Sequence, residues 1–498
     1  MNAKVLGITA LLIVLCLFMA VMTSSFIQPN NIENLLRRTA MYGILGIGVA
    51  FVIVTSGIDL SIGSIVCLCG CLLAVFLQVD YRPADQLAVS EVRAAQQEIV
   101  VRGATSGYQP GMMIRFYGSR RVNTGLFAVT AVTTEAGQTR LQVATRPSRD
   151  GRDGQVAQVF PLLQADRGDS RAQPARPASL TLAKAVGPIR PRDRITLVHP
   201  TAGLQELTVR DVEQAPDQVR VILTNELGGN VTTDWYAIPQ VRTQRMSIPV
   251  AVLAVIAMAC GLGLLHGLLV TQMHLQPFVV TLCGLLIYRG ISRWLVNDQP
   301  VGFGNEFLTT LSPVGRGKFV LWQWEEAGRV ESFGIPYPFF ILVLVALGAA
   351  ILLNKTIWGR YLLALGRNEE AARYSGIQTG RITLLAYILS TTLAAVGGML
   401  FALDSNQVPP SSFGNFFELY AIAAAVLGGC SLRGGEGSIF GVVIGTAVMQ
   451  VLNNMIVLLR ISDELEYAII GAVILLGVLT DELVKRWAAR RRAAQRRV

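Results

Sequence analysis

Asp59 lies where two apolar runs are interrupted by the polar segment 55–61. A carboxylate within a membrane is costly, and it usually faces a cavity or a partner group. Neighbouring glycine and hydroxyl residues allow a broken helix, whose backbone must line protein or water. One interpretation makes Gly57, Asp59 and Ser61 part of a transport pathway or gate. The other makes Asp59 the cap of a helix that begins near Leu60, and the residue types leave both open.

The segment 365–377 has the residues of a short capped helix. Asn368 is a good N-cap, and Glu369 and Glu370 fall in the first turn, where the helix dipole favours anions. Gly376 is a natural stop signal. Between two apolar runs, such a helix is either a docking surface for another protein or an ordinary solvated linker.

The residue pattern gives no support to a nucleotide site, a metal site or a catalytic group. The segment 427–439 is rich in glycine, but it lacks the Gly-Lys-Ser/Thr step of a phosphate-binding loop. The 3 histidines are scattered, so neither a metal site nor a Ser-His-Asp arrangement is predicted. We therefore predict no catalytic residues, no metal ligands and no cofactor.

Long apolar runs must position these segments. The chain is 52% hydrophobic, with a mean hydropathy of +0.48. About 20 apolar residues in a helix cross the roughly 30 Å of hydrocarbon in a bilayer, and the runs are too uniform for barrel strands. They predict an all-α polytopic membrane protein with about ten transmembrane helices and an inserted soluble β-rich domain. The runs are 4–24, 39–56, 61–78, 248–270, 277–296, 336–354, 382–403, 417–431, 438–460 and 466–484.

Residues 80–246 interrupt the apolar pattern and predict β-structure. They are polar, rich in arginine, and contain short alternating stretches. An internal repeat with an offset of 80 or 81 residues predicts two tandem β-modules, at about 100–160 and 180–240. The transmembrane parts are then 1–79, with about three spans, and 247–485, with about seven, followed by a basic tail at 486–498.

Charge predicts the orientation in the membrane. The net charge is +10, and basic residues crowd the loop after the sixth run and the tail after the tenth. Because cytoplasmic loops carry the excess of Lys and Arg, both termini are predicted to be cytoplasmic and the insert extracytoplasmic. No fold-level motif supports nucleic-acid binding.

Four segments together resemble one family, the ribose/galactose-type (branched-chain amino acid/ribose) permeases of bacterial ABC sugar importers. The resemblance covers roughly residues 1–78 and 247–485. Its motifs are the run 56–61, the loop 366–376, the run 421–429 followed by 434–437, and 276–278 with Arg289-Gly290.

The resemblance implies a permease subunit in the bacterial cytoplasmic (inner) membrane that moves a monosaccharide by alternating access. Its implied partners are cytoplasmic ABC ATPase subunits, an extracytoplasmic sugar-binding protein, a second permease copy or homologue, and membrane lipid. It also implies that Asp59, Asn297 and the loop 405–418, with Glu418 at its end, lie near the substrate pathway. The residues implied to couple the permease to the ATPases are Gly366, Asn368, Glu369, Glu370, Arg373 and Gly376.

The sequence departs from the family pattern in two places. One bears on the inference of the substrate, and the other is the insert itself. Tyr420 stands where the family usually has an acidic residue, and the family has only a short connection in place of residues 80–246. Two alternatives remain: a branched-chain amino-acid ABC permease, and an intramembrane enzyme with Asp59 or Glu418 as its acid or base.

Overall fold

The computed structural model describes residues 3–462 with short gaps, and a few residues beyond. The gaps are 84, 104–106, 119–124, 136, 169–176, 184–188, 200–202, 229–230 and 327–328, and after 462 only 465, 468, 469, 471, 472, 475 and 479 are described. The chain divides into two compact units. The first, the membrane unit, is Met1–Gln78 with Met246–Val498, and the second, the β unit, is Val79–Arg245.

Up to residue 462, the described part of the membrane unit contains twelve α-helices. They are α1 Ala3–Met22, α2 Pro29–Val54, α3 Ile62–Phe76, α4 Ile248–Thr271, α5 Pro277–Leu295, α6 Ser312–Arg316, α7 Tyr337–Lys355, α8 Ile357–Arg367, α9 Glu369–Tyr374, α10 Thr379–Ser405, α11 Phe417–Leu427 and α12 Ile439–Leu458. Among the described residues, 7 of these helices are long and apolar enough to cross a membrane, namely α1, α2, α4, α5, α7, α10 and α12.

The prediction of an all-α protein with about ten spans is wrong. A 12-stranded antiparallel sheet makes the chain a mixed α and β protein, and the described residues contain 7 candidate spans. The runs 61–78 and 417–431 form helices of 15 and 11 residues, which at 1.5 Å per residue reach only about 22 and 16 Å. The run 466–484 and the tail 486–498 lie largely or wholly outside the described residues.

Helices α2 and α10 form the centre of the membrane unit and are the most buried of the candidate spans. Glycines allow α4 to approach α10 closely. A Cβ atom on Gly263 would lie 2.6 Å from the Cα of Ile388, and one on Gly267 would lie 2.8 Å from the Cα of Leu384. Small residues let the two backbones approach closely. In lipid, where burial of apolar surface does not drive helix association, this close packing stabilises the contact.

The strands of the β unit form two closed rings that share one strand. The strands are β1 Val79–Pro83, β2 Leu87–Arg93, β3 Glu98–Arg102, β4 Met113–Gly118, β5 Gly125–Glu135, β6 Gln138–Val143, β7 Gly154–Asp166, β8 Ser179–Ala183, β9 Arg194–His199, β10 Gly203–Gln214, β11 Gln218–Leu223 and β12 Tyr236–Gln244. The first ring follows the order β2-β3-β6-β5-β4-β7, and the second follows β7-β8-β11-β10-β9-β12. The 13-residue β7 is long enough to belong to both.

Matching details recur in the two rings. A β-bulge between Val129 and Ala131 in β5 has its counterpart between Val209 and Asp211 in β10. Each ring encloses its own apolar core. The sequence repeat therefore corresponds to a repeat of strand pairing and bulge position.

Four further strands belong to the membrane unit. A two-residue strand, β13 (Val301–Gly302), pairs with β16 (Gln407–Val408). The strands β14 (Lys318–Glu326) and β15 (Arg329–Pro336) pair as an antiparallel hairpin that leads directly into α7.

Candidate functional site

Asp59 is fully buried in the connection between α2 and α3. Its Oδ1 accepts hydrogen bonds from the Ser61 backbone N–H (3.0 Å) and the Ser61 hydroxyl (2.6 Å). Its Oδ2 accepts one from the Ser390 hydroxyl on α10 (3.0 Å). Hydrogen bonds to a carboxylate are stronger than those between neutral groups. Asp59 therefore joins the start of α3 to the central helix α10.

Three aromatic or imidazole side chains from three helices lie together beside the segment that carries Asp59. The Nε2 of His266 on α4 lies 2.8 Å from the hydroxyl of Tyr288 on α5, and the His266 ring meets the Tyr387 ring of α10 edge-on. Among the described residues, neither His266 Nδ1 nor the Tyr387 hydroxyl has a hydrogen-bond partner.

We call this group the polar centre, and it consists of Asp59, Ser61, His266, Tyr288, Tyr387 and Ser390. Sequence reasoning found its first two members and missed the others. The available signal was the presence of polar side chains within apolar runs, since such groups in a membrane tend to serve function. Gly57 also borders the centre, because a Cβ there would lie 3.0 Å from the Tyr387 hydroxyl and 2.9 Å from Val52 Cγ1.

Glu418 is buried at the start of α11 and packs against the first turn of α3. A Cβ on Gly63 would lie 2.3 Å from Glu418 Oε2 and 2.2 Å from the Gly414 carbonyl oxygen. Arg289 of α5 holds the preceding loop, because its Nη1 donates to the carbonyl oxygens of Pro410 (3.1 Å) and Phe413 (2.6 Å). The structure therefore places Gly57, Asp59, Ser61 and Glu418 along one short stretch at the start of α3.

Asn297 is not part of this arrangement. It lies exposed in the turn after α5 with a φ of 52°. Thr281, near the other end of α5, donates to the Ile58 carbonyl oxygen (3.1 Å) beside Asp59. With a rise of 1.5 Å per residue, Asn297 lies about 24 Å from Thr281 along the axis of α5.

The ends of three separated segments meet beside the polar centre. The Ser56 hydroxyl lies 3.2 Å from the Gly366 carbonyl oxygen and 2.9 Å from that of Arg433. The Gly435 N–H donates to the Val54 carbonyl oxygen at 2.9 Å. A Cβ on Gly366 would lie 1.8 Å from that same oxygen, so only glycine fits. We call the contact of Ser56 and Gly366 with Gly434 and Gly435 the glycine junction.

Helix α9 extends from this junction and is exposed. Asn368 caps it, with its side-chain oxygen accepting from the Ala371 N–H at 3.0 Å. Glu369 and Arg373 form an ion pair of 3.6 Å on its surface. Tyr374 at its end is 90% exposed, and Gly376 follows with a φ of 82°. Of the six residues predicted for coupling, Gly366 lies in the junction and the other five lie on or around this helix.

Comparisons with known proteins give consistent matches. The family model described as "Branched-chain amino acid transport system / permease component" matches residues 222–478. The ribose import permease protein of Escherichia coli (strain K12) is 37% identical over 232 residues, which cover 47% of this chain and 68% of the relative. The ribose import permease protein of Bacillus subtilis (strain 168) is 36% identical over 217 residues, covering 43% and 62%. The xylose transport system permease protein of E. coli (strain K12) is 29% identical over 284 residues, covering 48% and 72%. No solved structure gives a significant match.

Proposed function

Because this chain belongs to the permease family of branched-chain amino acid transport systems, we propose that it is the membrane subunit of an ATP-binding cassette importer for a monosaccharide. It is a transporter subunit rather than an enzyme. The observation that carries the proposal is the similarity of this chain to permeases named for ribose import and for xylose transport. Those names favour a sugar over a branched-chain amino acid as the substrate.

The proposed mechanism is alternating access without covalent chemistry. ATP binding and hydrolysis in partner subunits shift the populations of inward-facing and outward-facing states. Helix α9 is the proposed docking element, because it is exposed, capped and joined directly to the glycine junction. A displacement of α9 would act through Gly366 and Ser56 on the segment that carries Asp59. The polar centre would then respond by rearranging its contacts among α4, α5 and α10.

Removing the charges of α9 tests the docking role. We expect the Glu369→Ala/Glu370→Ala/Arg373→Ala variant to fold normally, since these side chains are exposed and surface ion pairs contribute at most about 1 kcal/mol. ATP-driven sugar uptake should nevertheless be lost, because the ATPases bind this surface. The measurement is uptake and ATP hydrolysis in vesicles that contain the whole transporter.

A matched control comes from the exposed ion pair at the end of α5. Arg293 and Asp298 are joined by a hydrogen bond of 2.6 Å, and Arg293→Ala/Asp298→Ala should leave coupling intact. Normal coupling in the triple variant would show that α9 is only a solvated linker.

The orientation of the chain is proposed from the ends of the helices. Helix α10 begins on the side of α9 and ends at Ser405, and α3 runs alongside it, since Val66 lies against Gly398 and Gly70 against Ala402. Both attachments of the β unit, joined by the Met246 N–H to Phe76 carbonyl bond (3.0 Å), therefore leave the membrane unit on the side away from α9. With α9 facing cytoplasmic ATPases, the β unit is extracytoplasmic and the N-terminus, one candidate span before α2, is cytoplasmic. A cytoplasmic C-terminus is proposed from its basic residues alone.

Labelling of introduced cysteines tests this orientation. Asp217 is exposed in the turn between β10 and β11, and Ser375 is exposed just after α9. In a Cys283→Ser background, we expect a membrane-impermeant maleimide to label Asp217→Cys in intact spheroplasts. Ser375→Cys should be labelled only after permeabilisation, and the reverse pattern would overturn the proposed orientation.

The remaining proposed partners follow from the importer class. They are cytoplasmic ABC ATPase subunits, an extracytoplasmic sugar-binding protein, and a second permease, either a copy of this chain or a homologue.

A further inference from the structure

The hairpin of β14 and β15 carries an exposed apolar surface that the transport proposal does not use. Phe319, Leu321 and Trp322 are all more than half exposed, with Trp322 at 72%. Exposed aromatic and aliphatic side chains in a cluster mark an interaction surface.

The base of the hairpin is fixed to the centre of the membrane unit. The Lys318 ammonium group lies 2.8 and 3.0 Å from the two carboxylate oxygens of Glu33 on α2. The Gly334 N–H of the opposite strand donates to Glu33 Oε1 at 2.8 Å, and Glu33 is buried. A buried carboxylate held from both strands fixes where the hairpin leaves the helices.

The apolar surface of the hairpin continues the lipid-facing side of α7. Phe340, Leu344, Leu347 and Ile351 are exposed at helical spacing, so they form one stripe along this candidate span. The ring of Phe319 meets the ring of Phe340, the first member of that stripe, with their centroids 6.5 Å apart and the planes nearly perpendicular. The hairpin therefore begins where the lipid-facing surface of α7 begins.

Polarity changes along the hairpin in the direction expected at a membrane surface. The apolar residues 319–322 lie next to α7, whereas Gln323 and the exposed Glu325, on either side of Trp324, lie toward the turn. Tryptophan is also enriched where bilayer meets water, because its ring is apolar and its N–H is polar.

We propose that residues 319–322 insert into the lipid–water interface on the side of the membrane away from α9, where they anchor the start of α7. The 19 residues of α7 separate the hairpin from α8 and α9, a rise of about 28 Å that matches the hydrocarbon thickness. With its base fixed to α2 by Glu33, the anchor would hold α2 and α7 at a constant depth while other helices move.

Tryptophan fluorescence in vesicles tests the anchor. The emission of Trp322 is obtained as the difference between the wild-type protein and Trp322→Phe, a mild change at an exposed position. We expect this emission to be shifted to the blue, to lose intensity in lipids brominated near the headgroup, and to be protected from aqueous iodide. Lipids brominated near the chain ends should quench it less.

A second variant moves the same fluorophore toward the turn. In Trp322→Phe/Glu325→Trp, the new indole should be quenched by iodide and not by brominated lipid. The proposal is overturned if aqueous iodide quenches the Trp322 emission and brominated lipid does not. It is equally overturned if that emission responds only when the extracytoplasmic sugar-binding protein is added, since the surface is then a protein-docking site.

Discussion

Gly366→Ala is expected to reduce ATP-driven uptake at least tenfold although it adds a single methyl group. The added Cβ would lie 1.8 Å from the Val54 carbonyl oxygen and 2.4 Å from the Gly435 nitrogen, both of which are backbone atoms. These backbone atoms cannot rotate out of the way as a flexible side chain can, so α8 must move away from the end of α2. Overpacking of this kind typically costs about 1–3 kcal/mol. A change of about 1.4 kcal/mol alters a conformational ratio tenfold, and we expect uptake to fall by at least that factor.

Gly380→Ala is the matched control for this substitution. Gly380 lies in the first turn of α10, and a Cβ there would approach no atom closer than 3.6 Å. Uptake and the melting midpoint of the reconstituted protein should both stay at wild-type values in this variant. If Gly366→Ala behaves like Gly380→Ala, the glycine junction does not transmit the movement of α9.

Local features of the structure could be predicted from neighbouring residues alone. The short helix after Asn368 is present as Glu369–Tyr374, because a cap, two acidic residues and a stop signal act within one or two turns. The alternating stretches likewise correspond to strands such as β5 and β11. The sharing of β7 between two rings was not predictable, since it depends on pairings between residues far apart in the sequence, such as Leu87 with Val156 and Ala237 with Phe160.

The number of spans could not be predicted because apolar runs do not show where a helix ends. In the run 61–78, α3 ends at Phe76, and the backbone then passes into β1. In the run 417–431, α11 ends at Leu427, and Gly429 then adopts a φ of 92°. Both segments are as apolar as a membrane-spanning helix, but the helices they form are too short to cross a bilayer.

The polar centre could be predicted only in part, because its members come from distant helices. Asp59 and Ser61 are neighbours and form a recognisable motif. His266, Tyr288 and Tyr387 occur singly within apolar runs, and helical periodicity does not tell which face of α4 meets which face of α10. Gly366 was assigned to coupling by resemblance, but its contact with Val54 became visible only in three dimensions.

Substitutions of Asp59 should separate its two interpretations, as a pathway residue or as a helix cap. Asp59→Ala removes the acceptor of three hydrogen bonds from Ser61 and Ser390. Each buried donor left unpaired costs about 1–3 kcal/mol, so we expect this variant to be strongly destabilised. Asp59→Asn keeps the size and one carbonyl oxygen, and the Ser390 hydroxyl can rotate to accept from the new amide. This variant should therefore fold.

The decisive result is the transport activity of Asp59→Asn. If Asp59 only caps the connection to α3, the amide should serve almost as well as the carboxylate, and uptake should be near normal. We expect uptake to be lost instead, because Asp59 shares the polar centre with His266, Tyr288 and Tyr387, and an amide cannot supply a negative charge there. Asp298→Asn, at an exposed position, is the control and should change neither uptake nor stability noticeably. Thermal unfolding and sugar uptake, measured on the same vesicles, distinguish a folded but inactive variant from one that does not fold.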